Sequence, residues 1–292
     1  MRDRGIGGRY WLKKAARAGV GAASPLFLRP SARRALRVLT YHRFGEIPRD
    51  AFCLPADVFE RQVRWIAERG IGVSLDAVCD HLKTGAGLPD GAVLVTIDDG
   101  HLSTYSQARP ILEAHAVPAV AFVTSELVGQ GDLGGRMPEP YMSWDQVGRL
   151  EESGIAVGSH AANHRSVGLL PVDEAWEEID LSRRRLEERA GTAVRSFAYP
   201  FGTRIDSTPA AARLVEQAGY DCAFTSQHGP VTRELDPYRL PRVKIESGDG
   251  DWHFRRACRG AMDAWRLVDG LMWRLQQDRT ETFAGENRST VT

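Results

Sequence analysis

"AVLVTIDDG" (residues 92–100) decides how this chain folds. Residues 92–97 form an apolar run that reads as a strand buried on both faces, as in a parallel sheet. Two acids, Asp98 and Asp99, end it. Adjacent carboxylates repel and neither is comfortable beside a core, so a metal ion, a cationic partner or solvent must resolve the clash. Asp-Asp-Gly is also good turn chemistry, and the stretch alone leaves a solvated strand-end turn open.

Outward from it, short apolar runs recur: "RVLTYH" (37–42), "IGVSL" (71–75), "PAVAFVT" (118–124), "IAVGSH" (155–160), "VRSFAYP" (194–200), "YDCAFTS" (220–226) and "RVKI" (242–245). Between them lie helical patterns at 56–69, 172–190 and 208–218, the first with Val58, Phe59, Val63 and Ile66 at helical spacing. "MSWDQV" (142–147) reads as a helix start with Ser143 as its N-cap. Strands alternating with helices predict an α/β protein, a closed or distorted barrel of about seven parallel strands. That barrel domain spans 36–249. A basic segment, 1–35, precedes it, and a C-terminal helical extension, 250–279, carries an apolar stripe of Trp265, Val268, Met272 and Leu275. Residues 280–292 read as a disordered tail.

The bulk composition fits a globular protein: 42% hydrophobic and 26% charged residues over 292 positions. Lys plus Arg equals Asp plus Glu at 38 each, so no net charge draws the chain to nucleic acid. Cys53, Cys79, Cys222 and Cys258 are widely spaced and form neither a zinc knuckle nor a disulfide framework. No run of eighteen apolar residues predicts a membrane-spanning helix. The basic segment 1–35 is expected to pack or to rest on a membrane surface, and the compartment leans to the cell envelope or a membrane-peripheral site.

The polar residues gather at strand ends. His42, the Asp98–Asp99 pair, His160 with His164, and Tyr199-Pro200-Phe201-Gly202 each close one apolar run. In a parallel barrel those ends share one rim, where active sites are built. "HAANH" sets His160 and His164 at i and i+4, which in a helical turn brings both rings to one side. Two imidazoles and one carboxylate suit a divalent cation, zinc being the first expectation and other transition metals fitting as well. Ala161 stands where a zincin needs its glutamate base, which argues against a metalloprotease. If one acid ligates the cation, the other is left as general base, two roles set by two environments.

"TIDDG", "HAANH" and "FAYPFG" together resemble the motifs of the polysaccharide deacetylases, carbohydrate esterase family four, over roughly residues 38–245. The resemblance implies a distorted (β/α) barrel of the NodB-homology type and metal-dependent removal of N-acetyl groups from sugars, with N-acetylated polysaccharide or oligosaccharide as partner. Carried over, Asp98 matches the base, Asp99, His160 and His164 the metal ligands, and Phe201 the position whose backbone N–H helps hold the oxyanion.

Three departures matter. Ala161 follows the first histidine where Ser or Thr is usual. Ala198 replaces the arginine that orients the base. The C-terminal Leu-x-His that supplies the acid is absent, with "RLPRVKI" near its place. The poly-β-1,6-N-acetylglucosamine deacetylase branch is similar in taking its acid histidine from an N-terminal Tyr-His, which "LTYHRF" matches at His42. His228 in "SQHGP" ranks below it. For the lost arginine, Arg242 is expected to reach the same rim and pair with Asp98. Two rivals accompany this reading: a deacetylase or deformylase of a lipid-linked or small amide sugar, and a non-catalytic glycan-binding module.

Overall fold

The computed structural model describes residues 34–47, 50–131 and 139–270, together with Arg17 and Gly19. Among the described residues nine strands follow in chain order: β1 (Arg37–Tyr41), β2 (Arg43–Phe44), β3 (Cys53–Leu54), β4 (Val93–Ile97), β5 (Ala119–Val123), β6 (Ile155–Ser159), β7 (Ser196–Ala198), β8 (Cys222–Phe224) and β9 (Val243–Lys244). Seven of them form one sheet in the order β8-β7-β6-β5-β4-β1-β9, and every pairing in it is parallel. Its two ends meet: an isolated parallel bridge joins Phe224 at the end of β8 to Leu240, three residues before β9. The sheet is therefore the distorted parallel barrel that the sequence predicts. Its seam is made by the short stretch 240–244.

Strand alternation divides the buried residues between two layers. Val93, Val95 and Ile97 of β4 face outward and join Leu39, Tyr41, Ala119 and Ala121 in a cluster with Phe59 and Val63, from helix α1 (Ala56–Ala67). Leu94 faces inward with Val38, Val120, Phe122, Ala198 and Phe224. Phe122 of β5 and Phe224 of β8 touch at 5.7 Å between ring centroids although two strands separate them, so this second cluster fills the barrel. Its floor includes Leu75, Val78 and Cys79 of helix α2 (Leu75–Thr84).

Two sequence expectations need correction. "IGVSL" (71–75) is not a strand. Gly72 makes one bridge to Val93, then Ser74 caps α2 by accepting from the Ala77 N–H, so the capping signal overrides a short apolar run. The chain after β6 is not helical: residues 160–164 are a loop in which Ala161 and His164 take positive φ, 62° and 58°. The helical readings at 56–69, 172–190 and 208–218 hold, and Ser143 builds a full capping box with Gln146.

The C-terminal extension docks on the barrel through a buried ion pair. Arg37 on β1 sends Nε and Nη2 to the Asp263 carboxylate, at 3.0 and 2.6 Å. Trp265 joins the outer cluster. Met272, Leu275 and the tail 280–292 lie outside the described residues, as does the segment 1–33 apart from Arg17 and Gly19. Arg17 is buried, pairing with Asp249 at 2.8 Å and Glu246 at 3.3 Å. No helix among the described residues is long and apolar enough to cross a membrane.

Candidate active site

The inward columns of the barrel end at its chemistry. β1 pairs with β4 in the register Tyr41–Ile97, so one step further stand His42 and Asp98, where the Asp98 N–H donates to the Tyr41 carbonyl at 2.9 Å. Asp98 continues the column of Leu94 and Thr96 and thus points into the barrel. Asp99 would point outward, but its φ of 75° turns the chain and brings its carboxylate back to the rim. Two adjacent acids acquire two environments by that single turn.

Asp98 is held by Arg242. The guanidinium donates from Nη1 to Oδ1 at 2.7 Å and from Nη2 to Oδ2 at 2.8 Å. Nη1 also reaches the Thr96 hydroxyl at 3.1 Å, and Nε donates to the Thr225 carbonyl at 2.8 Å. Arg242 lies on the seam that closes the barrel, its own N–H donating to the Gln227 carbonyl. The expected pairing is therefore present, in the two-pronged geometry that makes charge-assisted bonds strong. Burial works to raise the Asp98 pKa, but the charges of Arg242 and His160 outweigh it and hold the carboxyl below its usual value.

Asp99 faces the histidines. Its Oδ1 lies 3.4 Å from Nε2 of His160 and 3.4 Å from Nε2 of His164. The three ligand atoms of Asp99, His160 and His164 all fall within 4.8 Å of one another. His160 Nδ1 donates to the Ala198 carbonyl at 2.7 Å, a bond that fixes the tautomer and leaves the Nε2 lone pair aimed at the cluster. A carboxylate and two imidazoles so presented fit a divalent cation. Burial alone would lift the Asp99 carboxyl; the imidazoles of His101, His160 and His164 reverse this and hold it well below the usual carboxylate range, ready as a ligand.

Among the described residues five non-glycine positions have positive φ, and four lie here: Asp99, Ala161, His164 and Phe201. Backbone strain of this kind collects at functional sites. Phe201, with φ of 60°, sets its ring 5.0 Å from that of His164. Gly202 follows because a Cβ there would come within 2.5 Å of the Ser226 nitrogen.

His42 is half-buried, its ring edge-on to Phe52 at 4.7 Å, and its Nδ1 has no hydrogen-bond partner among the described residues. Burial lowers its pKa, a tendency that Asp99 and Asp98 oppose. His228 is elsewhere, buried and bound through Nδ1 to Asp269 at 2.9 Å.

Two residues at the site have no role in the sequence reading. Glu178, on the helix Val172–Ala190, is buried and accepts from the Asn163 N–H at 2.8 Å and from Asn163 Nδ2 at 2.9 Å, pinning the 160–164 loop. Its signal was an acid among the inward positions of that helix, beside Ala175, Ile179 and Ser182. His101 is fully buried beneath Asp99, with Nε2 3.5 Å from Oδ2. Its signal was its place two residues after Asp99.

Residues 85–223 match the family model described as polysaccharide deacetylase. The Bacillus subtilis protein YxkH, a polysaccharide deacetylase by provisional name, is 25% identical over 215 residues, covering 73% of this chain and 72% of its own. The poly-beta-1,6-N-acetyl-D-glucosamine N-deacetylase of Escherichia coli K12 is 28% identical over 221 residues, covering 63% of this chain and 32% of its own. The chain thus spans about a third of that enzyme. Among solved structures, IcaB from Ammonifex degensii superposes with a TM-score of 0.67 at 29% identity, covering 77% of this chain and 97% of that one. Over residues 85–223 the chain is thus similar to the polysaccharide deacetylases, and its barrel has the fold of IcaB.

Proposed function

We propose that the chain hydrolyses N-acetyl groups from N-acetylglucosamine-type polysaccharide, releasing acetate and leaving a free amino sugar. The observation that carries this reading is the separation of two adjacent carboxylates: Asp98 gripped by Arg242, Asp99 turned toward two histidines. The E. coli relative, named for poly-beta-1,6-N-acetyl-D-glucosamine, supports that polymer as substrate class.

Asp99, His160 and His164 would hold the divalent cation, zinc being our first choice. A cation held there would supply Lewis-acid chemistry, polarising the acetamide carbonyl and acidifying the attacking water. Asp98, kept ionised by Arg242, removes the water proton. The Phe201 backbone N–H donates to the oxyanion as it forms. His42 then delivers a proton to the amide nitrogen. The carbon–nitrogen bond breaks and the amine departs neutral. Because burial favours its neutral ring, His42 is the stronger acid when charged. We place the enzyme in the cell envelope or at a membrane surface, where such a polymer would be met, with residues 1–35 as the peripheral contact.

Acetate release from β-1,6-linked and β-1,4-linked N-acetylglucosamine oligomers tests the reading, using protein reconstituted with Zn²⁺ beside chelated protein. Cation-dependent release with preference for the β-1,6 linkage supports it. No release from either, with the cation bound, would move the substrate to a lipid-linked or small amide sugar.

A further inference from the structure

His101 is a residue whose burial nothing in the barrel core explains. It is 0% exposed, and neither ring nitrogen makes a hydrogen bond of ordinary length among the described residues. A buried imidazole left so bare is costly unless a charged group faces it. One does: the Asp99 carboxylate, with Oδ2 3.5 Å from His101 Nε2. The other oxygen, Oδ1, faces His160 and His164.

The local backbone is built to bring this ring under Asp99. Gly100, at a φ of 84°, reverses the chain beside Val123, whose side chain a Cβ would meet at 3.2 Å. The Gly100 carbonyl accepts from the Met142 N–H, and His101 forms a backbone bridge with Tyr141. The His101 ring then stacks on that of Tyr141, 4.8 Å apart and 23° from parallel. Position and ring plane are fixed from both sides.

We propose that His101 is a positioning residue for the cation site: its Nε2–H holds Asp99 Oδ2, so the carboxylate meets the cation through Oδ1 alone. The inference rests on reading Asp99, His160 and His164 as that site. Ligating carboxylates are commonly oriented by such a donor, and loss of one costs about 10–100-fold in metal affinity. The imidazole leaves free Oδ1, the oxygen that faces His160 and His164.

The test is titration of Co²⁺ into the metal-free full chain, followed by its visible absorption, in wild type, His101→Phe and His101→Gln. Phe keeps the ring and the stack on Tyr141 but has no donor. Gln loses the ring and keeps an N–H. Positioning predicts that Phe binds Co²⁺ about 10–100-fold more weakly with an altered band, while Gln stays within about threefold of wild type. Plain packing predicts the reverse order, with Phe nearer wild type, and that result overturns the proposal. If His101→Phe does not fold, His101→Met, close to Gln in length but without a donor, takes its place in the comparison. Wild type that binds no Co²⁺ would remove the cation site itself, and the proposal with it.

Discussion

Arg242 and Asp98, 144 positions apart, meet in a two-pronged bond at the centre of the barrel rim. Ala198 carries no side chain that could reach Asp98, and its carbonyl instead accepts from His160 Nδ1. The guanidinium arrives from the seam that closes the barrel. Orientation of the Asp98 carboxylate and closure of the fold are thereby the same structural event.

Replacing Arg242 by Ala should move the whole pH–rate profile to higher pH. The arginine charge lowers the pKa of Asp98 and of His42. Asp98 must be deprotonated to act as base, so a raised pKa moves the acid limb upward. His42 must be protonated to act as acid, so its raised pKa carries the alkaline limb the same way. At neutral pH kcat/KM should fall about 10²-fold, since the base also loses its alignment. Profiles of acetate release against pH check this, and unmoved limbs would remove Arg242 from the mechanism.

Glu178→Ala should loosen the loop that carries both histidines. The Asn163 backbone N–H and side-chain amide lose their acceptor. Asn163 is exposed, so water takes over both donors and the loss is about 0.5–1.5 kcal/mol, read by urea denaturation. Cation affinity should fall with it, because His160 and His164 bracket that loop. Full stability together with wild-type affinity would show that the loop holds its shape without the helix.

Asp263→Ala should be among the more damaging changes remote from the site. It removes from Arg37, which is 0% exposed, the carboxylate that takes both its Nε and Nη2. Breaking a buried pair from one side costs about 3–5 kcal/mol. A denaturation midpoint near that of wild type would mean the C-terminal extension is not part of the cooperative unit.

Adding the cation should stabilise the fold by mass action. At free Zn²⁺ about 100 times its Kd, the gain is about 2.7 kcal/mol, visible as a raised Tm that a chelator reverses. In His164→Ala the raise should shrink toward zero. A raise of the same size in that variant would place the cation elsewhere.

Much of this was legible in the sequence. Apolar runs ending in His42, Asp98, His160 and Tyr199 report the rim because a parallel barrel delivers every strand's C-terminus to one face. Arg242 could be expected only through the resemblance, which puts an arginine where Ala198 stands and so asks for a replacement, offered by "RLPRV". The backbone conformations were not legible. Asp99, Ala161, His164 and Phe201 adopt positive φ without being glycine, and Ala161 and Phe201 above all have little preference for it. "HAANH" therefore read as a helical turn, whereas Glu178 and two left-handed residues shape it into a loop. The seam at 240–244 was equally hidden: its pairing to β8 and β1 is a property of closure, not of local pattern.

The division of labour between Asp98 and Asp99 is the central claim, and Asp98→Asn tests it most directly. The variant should bind one equivalent of Zn²⁺ with affinity close to wild type, since Asp99, His160 and His164 are untouched. Acetate release from β-1,6-linked N-acetylglucosamine oligomers, measured on that same loaded sample, should fall about 10²–10⁴-fold. A loaded variant that still releases acetate at the wild-type rate would contradict the account, because the base would then be another group.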